Sequence, residues 1–396
     1  MTETLPEGWR SVPFWSLFYR DKQIGFPEEE LLSVYREYGV IRKEDRDDNH
    51  NRAGDDLASY QLVEPGDLVL NKMKTWQGSL GISGYRGIVS PAYFVYKSRN
   101  SESSEFLHYA LRSRYYVTQY ASFSKGVRPS QWDLQPEYLS MMRVLLPPLS
   151  TQKTIVKYLA QETGEIDAML AALDELTETL RLRRAQAIQS AVRSPRSIGI
   201  GLMLDVKLGK MLQTKPKSPT DRLQPYLRAA HIQPGGRLDL AIDTKEMYFS
   251  EYEAEALSLR VGDAVIVEGG AGFGRAACLT EDMPGWGFQN SIIRLRGASS
   301  DTRYAVYALQ AALESGEIAM ACNAATFAHF TAEKVEGFRI PYHGTDEHRR
   351  IADHLDEVTG RIDAMLAKVA ELKALLVERR AALITDVVTG RKKVPA

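Results

Sequence analysis

Cysteine is nearly absent from this chain of 396 residues: Cys278 and Cys322 are the only two, which excludes a disulfide framework or a cysteine-rich zinc site and leaves at most one bridge between them. Long apolar runs are missing as well; none approaches the ~20 residues that cross a bilayer, so no membrane span is expected. An excess of charge of one sign is also lacking. Fifty basic residues face 51 acidic ones, for a net charge of -1, so the electrostatic footprint of a protein that holds nucleic acid alone is not there. Locally clustered basic residues, or partners that supply phosphate contacts, remain compatible with that balance. The opening MTETLPEGWRSVPFW has no basic start followed by an apolar stretch, and we expect no secretion signal and a cytoplasmic protein. No G-x-x-x-x-G-K-[ST] element occurs, which argues against an ATPase. The seven histidines are scattered. His348 and His354, six apart on an expected helix, do not share a face, and we assign no metal.

What the chain does have is an internal repeat. TGEIDAMLA, Thr163 to Ala171, returns as TGRIDAMLA, Thr359 to Ala367, an offset of 196 residues. The same offset pairs Ile155 with Ile351, Leu159 with Leu355, Arg183-Arg184 with Arg379-Arg380, and Gly66-Asp67 with Gly262-Asp263. The repeat unit is therefore half the protein. Within each half, apolar residues recur on alternating steps of three and four, as in a coiled-coil seam. One seam reads Ile155, Leu159, Glu162, Ile166, Met169, Leu173, Leu176, Leu180, Arg183, Ala187; the other reads Ile351, Leu355, Val358, Ile362, Met365, Val369, Leu372, Leu376, Arg379, Leu383. Two readings of the seam arginines stand open: they lie at a splayed end, or they pair with acids on an opposite helix or another subunit.

Each helix is expected over some 40 residues, Thr151 to Val192 and Asp346 to Val388, without proline and rich in Ala, Leu, Glu, Lys and Arg. The remaining stretches hold most of the Gly, Pro, Tyr and Trp and short strand-like runs such as DLVLNKM and DAVIVEGG. A chain this long exceeds the roughly 250–300 residues of a single core, so we expect mixed α/β (α+β) architecture in four parts. These are a globular domain over 1–146, a helix over 147–195, a second globular domain over 196–341 and a second helix over 342–396. If the second helix returns along the first, the pair is antiparallel and the molecule gains pseudo-two-fold symmetry. Two-fold symmetric proteins read split DNA sites. Two diverged domains would read an asymmetric bipartite target with the helices as spacer.

At this point the pattern resembles the DNA specificity subunit of type I restriction-modification enzymes, HsdS, over essentially the entire chain. The resemblance rests on LPEGW at Leu5 to Trp9, the two Gly-Asp turns, VSPAYFV at Val89 to Val95, and LLPPLSTQKTIVKYL at Leu145 to Leu159 leading into TGEIDAML. It implies two target recognition domains separated by helices that dock two methyltransferase subunits, a restriction-translocase subunit joining them, and no catalytic activity or cofactor in this chain. S-adenosylmethionine and ATP with Mg would belong to those partners. The second half departs from the pattern: PPLSTQ becomes PYHGTDE, Pro341 to Glu347, and VSPAY becomes FQNSI, Phe288 to Ile292. A tandem ligand-binding scaffold joined by a coiled coil, with no DNA, is the alternative that the neutral charge also permits.

Two motifs tempt toward enzymology. VSPAY has the flavour of an adenine-methyltransferase motif, yet Pro91 is followed by Ala92 and no motif for S-adenosylmethionine accompanies it, so a turn into a strand is the better reading. EGGAGFGR, Glu268 to Arg275, would cradle phosphate only if its glycines led into a helix, and AACLTED follows instead. For DNA contact the first-domain candidates are Lys72, Lys74 and Trp76, with Ser124, Lys125, Arg128, Ser130, Gln131 and Trp132. The second-domain candidates are Lys215, Lys217, Arg228, His231, Arg275, Asn323, Thr326 and His329. Arginine grips guanine, glutamine grips adenine, and lysine mostly meets phosphate. A solvated charged loop is the plainer alternative for each, and packing in the core is the plainer one for Trp76 and Trp132. For docking and the coiled coil the candidates are the apolar seam residues: Ile155, Leu159, Ile166, Met169, Leu173, Leu176 and Leu180, with Ile351, Leu355, Ile362, Met365, Val369, Leu372 and Leu376.

Overall fold

The computed structural model describes residues 5–46, 57–99, 101–126, 132–322 and 329–395. It divides into two compact units, residues 1–173 with 371–396, and residues 174–370. The architecture is mixed α and β, with two helices of 44 residues, Leu149–Val192 and Thr345–Val388, each about 66 Å long at 1.5 Å per residue. Pro147-Pro148 precede the first and Pro195 follows it, while Gly390, at φ 77, closes the second in the left-handed conformation that suits glycine.

The two units are built on the same frame. In the first, strands Phe18–Arg20, Tyr93–Ser98, Leu68–Asn71 and Leu80–Ile82 lie side by side in that order, all antiparallel. In the second, Asp205–Leu208, Ile292–Arg296, Ala264–Val267 and Ala276–Cys278 repeat the order and direction. Alternate side chains of a strand face opposite ways. Leu68 and Leu70 accordingly enter a core with helices Ser104–Arg112 and Arg114–Phe123, while Val69 enters a second core beneath the hairpin Leu32–Tyr35/Gly39–Arg42. Ala264 and Ile266 face helix Ser299–Glu314, and Val265 and Val267 face the opposite core. Both sheet faces are covered, which is why these strands read as unbroken apolar runs.

The Gly-Asp turns tie this sheet together. Gly66 and Gly262 take φ of 93 and 85, where a side chain would be strained. The aspartate that follows is buried in each case. Asp67 accepts from Glu64 N at 2.7 Å and from Lys97 Nζ at 2.7 Å; Asp263 accepts from Arg260 N at 2.8 Å and from Arg296 at 2.7 and 2.6 Å. Each carboxylate therefore closes its own turn and pins a cation of the neighbouring central strand. A second repeated device joins the ends of each globular part: Arg10–Pro13 pairs with Arg143–Leu146, and Ser197–Gly199 with Arg339–Pro341. Arg143 bonds the side chain and carbonyl of Ser11, and Arg339 does the same to Ser197.

Within each unit the two long helices contribute antiparallel segments. In the first unit Arg380 pairs with Asp167 at 3.0 Å, and further along Ile155 and Leu159 share a core with Val387 and Val388. In the second unit Arg184 pairs with Asp363 at 3.1 Å, and Ile188 and Val192 share a core with Ile351 and Leu355. The seam departs in register from the one read off the sequence. Its buried or half-buried positions on the first helix are Ile155, Leu159, Thr163, Ile166, Leu170, Leu173, Thr177, Leu180, Arg184 and Ile188. On the second they run Ile351, Leu355, Thr359, Ile362, Leu366, Val369, Lys373, Leu376, Arg380 and Ile384. Met169, Leu176, Met365 and Leu372, expected in the seam, are exposed. Arg183 and Arg379 are exposed too, and their C-terminal neighbours make the ion pairs. The cause is local: the first turns step by four because they face a globular core. Thr163 and Thr359 tolerate burial there by donating to Leu159 O and Leu355 O at 2.7 and 2.6 Å. Glu165 and Arg361, the one exchange within the nonapeptide, are both exposed and bond within their own helix, to Gln161 and Glu357.

Candidate nucleic-acid interface and helix surface

In each unit the structure brings together the two segments that the sequence singles out. In the first, the loop leaving strand Leu68–Asn71 is joined to the segment before Leu134, since Leu134 N donates to Lys72 O at 3.0 Å. In the second, Phe330 N donates to Glu268 O at 2.8 Å. Leu134 and Phe330, like Lys72 and Glu268, are 196 residues apart, so one backbone frame carries a cation in one unit and an anion in the other.

The first-unit loop is pre-shaped. Asn71 Oδ1 accepts from Met73 N and Lys74 N at 3.1 Å, and Trp76 Nε1 donates to Met73 O at 2.9 Å. Trp76 packs on Trp132 with ring centroids 5.1 Å apart, so both tryptophans are half-buried against each other. Lys72 donates to Pro91 O and lies over the Phe94 ring at 4.9 Å. Arg20 covers the same ring at 4.4 Å. Burial lowers the Lys72 ammonium from its ordinary value, and the nearby charges of Arg20 and Lys22 add to that, opposed by Asp133. Two cations held against one ring, with Lys22 close by, form a concentration of positive charge that the sequence reading missed. In sequence Arg20 and Lys22 are 50 residues or more from Lys72, and only the sheet pairing of Arg20 with Tyr96 brings them beside Phe94. Lys74 is exposed; Lys125 is exposed over the Tyr138 ring at 4.7 Å. Ser124 is instead buried, donating to Tyr120 O at 2.8 Å, and serves the fold. Arg128, Ser130 and Gln131 lie outside the described residues.

In the second unit the glycine loop is followed by strand Ala276–Cys278, which leaves no helix terminus to receive a phosphate. Gly269 bridges to His329, and a Cβ at Gly269 would meet the His329 ring at 2.8 Å, so any other residue there would push that ring aside. His329 is exposed and Arg275 half-buried beside this bridge. Lys215 and Lys217 project from an exposed loop that Asp221 pins, accepting from Lys217 N at 2.7 Å, Ser218 N at 3.2 Å and Gln213 Nε2 at 3.0 Å. The backbone donor of Lys217 chiefly holds the Asp221 carboxyl below its usual range. His231 is buried, accepts from Arg228 N at 3.1 Å, and has its pKa lowered by burial and then by Arg228. It belongs to the core, against the expectation of DNA contact. Arg228 donates to Asp243 O at 2.6 Å and is half-buried. Asn323 and Thr326 lie outside the described residues.

A second surface lies on the long helices. Met169 and Met365, and Leu176 and Leu372, are repeat-equivalent pairs of large apolar side chains pointing to solvent. Among the described residues no helix is long and apolar enough to cross a membrane.

No protein-family model matches the chain. A curated relative, the type I restriction enzyme StySPI specificity subunit of Salmonella potsdam, is 20% identical over 209 residues, covering 48% of this chain. The match spans 43% of that protein, less than half its length. Among solved structures, a chain from work on complex assembly and conformational transition of the type I restriction-modification system matches with a TM-score of 0.75 at 17% identity, over 98% of this chain and 100% of that one. The HsdS subunit from Thermoanaerobacter tengcongensis matches with a TM-score of 0.55 at 17% identity, over 99% of both chains. The chain thus shares the fold of type I specificity subunits, with its globular parts and long helices, as the sequence motifs led us to expect.

Proposed function

We propose that this chain is the DNA-reading subunit of a type I restriction-modification complex. Each globular domain reads one half of an asymmetric bipartite site, the long helices set the gap between the halves, and two methyltransferase subunits dock on the helices to methylate adenine. A restriction-translocase subunit completes the assembly. The chain itself performs no chemistry; S-adenosylmethionine, ATP and Mg belong to the partners. The observation that carries the reading is the duplicated frame with diverged loops. Lys72 and Glu268 occupy one backbone position in two copies of one scaffold, as expected when two domains keep a fold and read different sequences. The matched exposed Met169/Met365 and Leu176/Leu372 pairs support docking of two copies of one partner.

Arg20 and Lys72 test the DNA part. Phosphate contacts released by salt give a slope of about -0.9 in log K per contact. Replacing both residues by alanine in the complex with its methyltransferase partner should flatten the salt dependence of binding by roughly two such contacts without changing the preferred sequence. An unchanged slope would remove this cluster from the interface. A chain that binds a small ligand and protects no DNA in that complex would favour the scaffold alternative.

A further inference from the structure

Arg184 holds three elements of the second unit at once. Its Nε donates to Asp363 Oδ1 of the opposite long helix at 3.1 Å, its Nη1 to Gln310 Oε1 of helix Ser299–Glu314 at 3.2 Å, and its Nη2 to Gly235 O at 2.8 Å. Gly235 sits in the turn between strands Ile232–Gln233 and Arg237–Leu238, a hairpin of the globular domain. Gly235 and Gly236 have φ of 79 and 77, the left-handed region that favours glycine, and a Cβ at Gly236 would meet the Gln310 side chain at 2.2 Å and force it to shift. The guanidinium side chain is only 10% exposed. A guanidinium spreads its donors over three nitrogens in a rigid plane, so it bonds acceptors too far apart to meet a single ammonium nitrogen.

The repeat supplies the control. Arg380, at the equivalent position of the first unit, bonds Asp167 and is 36% exposed. The first unit's hairpin Leu32–Tyr35/Gly39–Arg42 is instead held through Arg36 O and Glu37 O, each 2.8 Å from Arg112 of the short helix Ser104–Arg112. The same ion pair is thus a bare helix-to-helix contact in one half and a three-way clamp to the globular domain in the other.

We infer that Arg184 is a positioning residue: it fixes how the second globular domain is carried on its pair of helix segments, and thereby the gap tolerated before the second half-site, while Arg380 has no such role. The inference rests on the DNA-reading proposal for its consequence, but the clamp itself is readable without DNA. Arg184→Lys keeps the buried charge beside Asp363 and gives up the fork. In the full chain, co-expressed with a type I methyltransferase partner, it should speed amide exchange in residues 232–238 about tenfold. It should also broaden the methylated gap by a base pair or more, leaving the half-site bases unchanged. Arg380→Lys should leave both readouts as in the wild type. Gln310→Leu, which removes one acceptor and leaves the Asp363 pair, should move them in the same direction and serves if Arg184→Lys does not fold. Unchanged exchange in a folded variant overturns the clamp; faster exchange with an unchanged gap overturns its role in spacing. Absence of any bipartite methylation by the wild-type complex would overturn the DNA-reading proposal instead, with exchange still deciding the clamp.

Discussion

Replacing Asp263 by alanine removes an acceptor of three hydrogen bonds from a site that water barely reaches. Arg260 N loses its 2.8 Å partner and the Arg296 guanidinium loses both carboxylate contacts, keeping its bond to Ser258 O at 2.9 Å. Breaking a buried ion pair by deleting one partner costs about 3–5 kcal/mol. The Arg296 side chain is partly exposed and retains one acceptor, so the lower end applies, about 3 kcal/mol. For a unit of this size, each kcal/mol lowers the melting temperature by about 2–4 °C, so the second unit's transition should fall by roughly 6–12 °C. Asp67→Ala should cost less, about 2 kcal/mol, because Lys97 retains Glu64 at 2.8 Å and because burial already pushes the Asp67 carboxyl above its ordinary value despite Lys97. Calorimetry of both variants, with amide exchange to assign each transition to its unit, measures the pair. A loss below about 1 kcal/mol for Asp263→Ala, or the reverse ranking, would refute the account of the Gly-Asp turns.

Two further outcomes follow. The His108 imidazole is held down to about 4, chiefly by burial and then by the Arg112 guanidinium, which can only donate to Nε2 at 2.7 Å. Because the unfolded histidine titrates near 6.5, the unfolded chain binds the extra proton first, and stability is lost as pH falls from about 6.5 to about 4, by at most roughly 3 kcal/mol. Urea unfolding of His108→Gln should lack that component; pH profiles parallel to the wild type would contradict it. Met169→Glu with Met365→Glu should weaken association with the methyltransferase partner at least tenfold while shifting thermal unfolding by no more than a surface change does, and tight binding by a folded double variant would show that the partner docks elsewhere.

The repeat and the long helices were legible because their signals are local or recur at one fixed offset. The Gly-Asp turns were visible as motifs, but their purpose was not. Lys97 and Arg296 are some 30 residues from their aspartates and stand 199 rather than 196 apart, so the offset that finds the turn misses the cation. The seam was read one residue off at several turns because strict alternation of three and four placed Glu162, Met169 and Leu176 where the structure buries or half-buries Thr163, Leu170 and Thr177. A threonine that bonds its own helix carbonyl is a good buried residue, and no pattern of apolar spacing reveals it. Of the residues named for DNA contact, Lys72 lies in a loop that a backbone bond joins to Leu134. His231 and Ser124 are buried in the structure, and Arg20 joined Lys72 only through strand pairing across Phe94.

Single-molecule methylome sequencing of cells expressing the chain with its methyltransferase partner bears most directly on the central proposal. The expected result is one asymmetric motif of two short blocks separated by a fixed gap. When residues 1–146 are exchanged for those of another type I specificity subunit, one block should change and the other should stay. No methylation dependent on this chain, a single uninterrupted motif, or both blocks changing together would contradict it.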